Sequence, residues 1–82
     1  MPVILRVSGY KFWFYQADLS DPPHVHAGRE SREAKFWLQP VRVARAGRFR
    51  TNELREIERI INDNRDYLLA VWQDEQGKRA NG

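Results

Sequence analysis

His24 and His26 are the only two histidines of the chain, and they stand two residues apart behind a double proline, in Ser20-Asp21-Pro22-Pro23-His24-Val25-His26-Ala27-Gly28. Imidazole titrates near neutral pH, with an unperturbed pKa of about 6.5, so two of them can divide the roles of acid and base. Alternate residues of a strand project to one side. Both rings could therefore reach one substrate or one ion, and cleavage of a phosphodiester without a metal is a chemistry open to such a pair. A metal centre would need a third ligand, for which Glu33 across the next hairpin and Asp21 before the prolines are the candidates. An H-x-H pair by itself is a weak metal signal, and no metal or cofactor is expected. The bland reading is that both histidines are half-exposed strand residues packed beside Trp37.

Either role requires extended chain around the pair. Pro23 has no N–H to give to a ladder and suits the first residue of a strand, and His24 to Ala27 follows as an extended run. Gly28 to Arg32 turns the chain, and Glu33 to Leu38 alternates, with Ala34, Phe36 and Leu38 on one side and Glu33, Lys35 and Trp37 on the other. If Val25 and Ala27 join the first set in the core, the histidines share the second face with Glu33, Lys35 and Trp37. Upstream, Val3 to Val7 and Tyr10 to Tyr15 flank Ser8-Gly9, a two-residue loop that predicts a hairpin. Its register opposes Leu5 with Phe12 and Val7 with Tyr10 on an apolar face. Arg6 then opposes Lys11 on the other face, where Trp13 and Tyr15 also lie. Gln16 to Pro23 reads as a loop, Pro40 interrupts, and Val41 to Ala44 can form a short further strand.

From Thr51 the period changes from two to about 3.6. Thr51 is the expected N-cap, with Glu53 in the first turn where an acid suits the helix dipole. Leu54, Ile57, Ile61, Leu68 and Trp72 mark one stripe, which Asn64 interrupts, so a bend there is allowed for. The expectation is one α+β domain over residues 1–76 and a frayed tail over 77–82. Its antiparallel sheet has about four strands, and one long C-terminal helix packs on one face.

Composition bounds the function. With 82 residues, 41% hydrophobic and 12% aromatic, the chain is long enough for one core. It has no cysteine, which excludes a disulfide framework and thiolate zinc sites. No apolar run approaches the ~18 residues of a membrane span, and the opening segment lacks a basic leader and cleavage site, so a cytoplasmic protein is expected. The net charge of +3 is unevenly spread: residues 1–50 carry nine Lys/Arg against four Asp/Glu, and residues 51–82 carry five against seven. A basic, aromatic face made of Arg6, Lys11, Trp13, Tyr15, Lys35 and Trp37 could stack bases and meet phosphates, or anchor a protein. Arg42, Arg45, Arg48 and Arg50 could extend it along a nucleic-acid backbone. No Gly-rich phosphate loop or nucleophile elbow is present.

The stretches ILRVSGYKFWFY, PPHVH, AKFWL and ELREIERIINDN together resemble a small prokaryotic family, domain-of-unknown-function family 4160, over nearly the whole chain to about Trp72. The resemblance carries over Pro22, Pro23, His24 and His26, with Lys35, Phe36 and Trp37, as the family's hallmark positions. Its members are often encoded beside another small domain in an arrangement like toxin–antitoxin pairs. This implies a small partner protein, with RNA as a further target. The leading expectation is an interaction module of such a pair, working through the sheet face around His24 and His26. The alternative is a metal-independent ribonuclease in which those two residues are acid and base.

Overall fold

The computed structural model describes residues 3–15 and 19–81. The start of the loop expected over Gln16 to Pro23, and the last residue of the expected tail, lie outside them. Five strands, β1 (Leu5–Val7), β2 (Tyr10–Trp13), β3 (His24–Arg29), β4 (Arg32–Leu38) and β5 (Val41–Arg45), are followed by two helices, α1 (Thr51–Asp63) and α2 (Arg65–Asn81). The strands form one antiparallel sheet in chain order. The class is α+β, with one strand more and one helix more than the pattern predicts.

The first hairpin has the predicted register, Leu5 opposite Phe12, Arg6 opposite Lys11 and Val7 opposite Tyr10. Ser8 and Gly9 both take positive φ, 53° and 81°. This is the backbone of a type I′ turn, whose twist matches that of the flanking strands. The extra strand follows from the two-residue Gln39-Pro40 turn, after which Val41 to Arg45 pair back on β4.

One sheet face carries Tyr10, Phe12, Val25, Ala27, Ala34, Phe36 and Leu38, all buried, and packs with Ile57, Ile60 and Ile61 of α1 in one core. Fully burying a side chain such as Phe36 is worth about 2–3 kcal/mol relative to exposure. Gly47, at φ 62°, permits the return from β5 to α1. A Cβ there would stand 1.8 Å from the Glu33 carbonyl oxygen.

Thr51 is the first helical residue and Arg50 the N-cap. The Arg50 N–H is held by the Glu53 carboxylate at 2.9 Å, so the side chain of Glu53 closes the helix start in place of the expected threonine. At the other end of α1, Asn64 bonds its own side-chain Nδ2 to the Ile60 carbonyl at 2.8 Å. An asparagine that competes for backbone in this way favours a helix end over a helix interior.

The chain then turns, so the apolar stripe divides. α1 covers the core face, and α2 crosses one end of the sheet. Its Arg65 Nε donates to the Leu38 carbonyl at 2.9 Å, and Tyr67 Oη donates to the Ile4 carbonyl at 2.8 Å. Trp72 meets Phe14 edge-to-face at 5.1 Å between centroids. In an antiparallel sheet, Ile4, Phe14, His24 and Leu38 all lie at this end. No helix among the described residues is long and apolar enough to cross a membrane.

Candidate functional site

The face opposite α1 is built from three cross-strand rows. Arg6, Lys11, Gly28 and Glu33 form the first, and Trp13, His26, Lys35 and Arg45 the second. His24, Trp37 and Arg42 form the third. Trp13, Glu33, Lys35 and Trp37 therefore surround the histidine pair, and Tyr15, just past β2, adds its ring to His26 at 4.6 Å between centroids. Arg6 and Lys11 lie on the same face, one row further out.

The histidines are not half-exposed, as the alternation suggested. His24 is 0% and His26 5% accessible. Aromatic neighbours account for much of this. Trp13 stacks on His26 at 6.1 Å, and His24 meets Trp37 at 5.7 Å and Trp72 at 5.1 Å. The two imidazoles are themselves 5.3 Å apart between centroids. Gly28 makes this cover feasible, because a Cβ there would come within 2.6 Å of the Trp13 Cη2. A side chain at that position would lift the indole off the sheet.

Glu33 is the hub of the cluster. Tyr15 Oη donates to both its carboxylate oxygens at 3.2 Å, His26 Nδ1 lies 3.1 Å from Oε2, and Arg45 Nη2 lies 3.7 Å from the same oxygen. His24 Nδ1 stands 3.0 Å from the Pro22 carbonyl. A carbonyl only accepts, so in this contact Nδ1 carries the proton. Lys35 Nζ sits 4.7 Å above the Trp37 ring, a cation–π contact. Among the described residues no group of three or more His, Cys, Asp or Glu is arranged to hold a metal ion. Glu33 is within reach of His26, but it is shared with Tyr15 and Arg45.

Arg45 and Trp72 reach the histidines by routes that strand alternation and the helix stripe do not give. In a regular strand Arg42 and Arg45, three apart, point to opposite faces. The register of β4 with β5 shifts between Lys35 and Phe36, which leaves Ala44 as the extra residue of a bulge and turns Arg45 onto the histidine face. Trp72 read as the far end of a core stripe that Asn64 interrupts; the turn at Asn64 is what brings it to His24. Its Nε1 is buried without an acceptor among the described residues.

The arginine run does not form one track. Arg42 and Arg45 stay on this face, the side chain of Arg48 reaches the Ser31 carbonyl at 3.4 Å, and Arg50 opens α1. Arg29 and Arg32, from the alternate positions of β3 and β4, lie over the Tyr10 and Phe49 rings, away from the histidines.

No curated protein and no solved structure matches the chain. A family model described as a domain of unknown function, DUF4160, matches residues 9–73. That span runs from the first hairpin turn, through the PPHVH strand and the histidine face apart from Arg6, to the residue after Trp72, and the chain belongs to this family.

Proposed function

We propose that the chain is an interaction module, one half of a toxin–antitoxin-like pair, whose histidine face binds an acidic partner protein. The observation that carries this reading is the charge of that face. Its three rows hold Arg6, Lys11, Lys35, Arg42 and Arg45 against one acid, Glu33, which is already shared by Tyr15, His26 and Arg45. A surface of one sign beside aromatic side chains suits a partner of the opposite sign. Protein is favoured over RNA because the aromatic faces are largely spoken for. Lys35 covers Trp37, and Trp13 lies between His26 and Gly28, so open platforms for base stacking are few.

Affinity capture from native lysate tests the reading. Wild-type protein should recover a small acidic protein that the Lys35→Glu/Arg42→Glu variant does not. Recovery of nothing, or the same recovery by both proteins, overturns it.

One distance favours a second reading. The imidazoles of His24 and His26 lie 5.3 Å apart, close enough to act on one phosphodiester as acid and base, with Lys35 or Arg6 meeting the developing charge. Their burial weighs against direct access to substrate. For a ribonuclease, His24→Ala or His26→Ala should abolish cleavage of an oligoribonucleotide while RNA binding persists. Cleavage retained in both variants disposes of it.

A further inference from the structure

We infer that the binding face is used through its edge: β5 receives an extended acidic segment of a partner protein as a sixth strand. This rests on the proposed interaction role and names how the partner is held. The two edges of the sheet differ. β1 is three residues long, and Tyr67 of α2 donates to the Ile4 carbonyl beside it. An edge strand of only three residues is a poor template for pairing. β5 is five residues long, with no strand beyond it among the described residues. Arg42, Val43, Ala44 and Arg45 are all exposed, Val43 at 44%.

Charge selects the occupant. Antiparallel pairing of β5 with β5 of a second copy would line up Arg42 and Arg45 of both chains along one seam, and like charges facing each other across strands are destabilising. The same arginines, with Lys35 behind them, attract glutamate and aspartate. The side chains that discourage self-association thus invite an acidic strand.

A specificity pocket lies at the near end. Pro22, Pro23, Trp37, Gln39, Pro40 and Arg42 line a cleft of about 140 Å³ beside the start of β5. Its proline wall is pinned from behind, because the Pro23 carbonyl accepts from the Leu38 N–H at 3.0 Å and the Pro22 carbonyl contacts His24. In strand addition, main-chain hydrogen bonds supply affinity and side-chain pockets supply selection. The cleft suits one apolar side chain of the incoming strand, and this gives the double proline a role as its wall.

The test uses the full chain and a synthetic peptide of alternating glutamate and valine with one central leucine, followed by amide NMR. The expected result is binding with perturbation and slowed exchange of the β5 amides. Affinity should fall at least tenfold when alternate peptide amides are N-methylated, and likewise in Arg42→Glu/Arg45→Glu. A peptide with lysine in place of glutamate should not bind. Equal binding by the N-methylated peptide overturns strand addition while leaving an acidic partner on the face. Absence of binding by any acidic peptide also overturns it, and lysate capture then decides the broader reading separately. Two other outcomes overturn it as well. One is a concentration-dependent dimer dissolved by Val43→Pro, which gives the edge to a second copy. The other is tighter binding of a uridine oligonucleotide that the β5 variant leaves unchanged, which gives the surface to RNA.

Discussion

Glu33 holds more of the candidate site together than either histidine. It joins Tyr15 from the end of β2, His26 from β3 and Arg45 from β5, and a hydrogen bond to a charged group contributes more than one between neutral partners. Glu33→Gln keeps the shape and removes the charge. It should cost about 1 kcal/mol in urea unfolding, with altered NMR signals from the Tyr15 and His26 rings. Gly47 sets a harder limit. Its positive φ disfavours any side chain, and the Glu33 backbone occupies the space a Cβ would need. Gly47→Ala should therefore destabilise by at least ~2 kcal/mol in the same assay. A loss below 0.5 kcal/mol would mean that the β5–α1 connection relaxes freely.

Among the elements, the first hairpin is where local sequence speaks most plainly. Ser8 sits at φ 53° in a turn whose first position prefers asparagine. Ser8→Asn should raise stability by about 0.5 kcal/mol, read as a shift of the denaturation midpoint at constant slope. The start of α1 carries a pH dependence of defined sign. The Arg50 backbone N–H and then the Arg32 guanidinium hold the Glu53 carboxyl below its ordinary value of 4.5. A lowered folded pKa adds stability that is complete above the ordinary value and lost as pH falls through the folded one. Wild type should accordingly be more stable than Glu53→Gln at neutral pH, and thermal unfolding of the two should converge in acid. A difference that stays constant with pH would remove the carboxylate from the account.

At the scale of the whole molecule, the two helices do different work. α1 buries the apolar face of the sheet, and α2 closes the end at which β3 begins, where Trp72 reaches His24. The basic face is thereby left open at β5 and closed near the start of β3. An electrostatic partner site of this kind should show salt dependence. Capture of the acidic partner should weaken several-fold between low and high ionic strength, and an affinity indifferent to salt would contradict the charge argument.

Alternation and turn chemistry are local, which is why the sequence alone determined the hairpin register, the α+β class and the sharing of one face by His24, His26, Glu33, Lys35 and Trp37. Each follows from a period of two or from the backbone demands of a two-residue loop. The burial of the histidines could not be read in this way, because it depends on Trp13 lying over Gly28 and on α2 turning at Asn64 to deliver Trp72. The facing of Arg45 was equally out of reach, since one bulged residue, set by pairing between β4 and β5, reverses which side a side chain points to. Tertiary structure decided these points because each depends on contact between segments distant in the chain, and no local period encodes such contact.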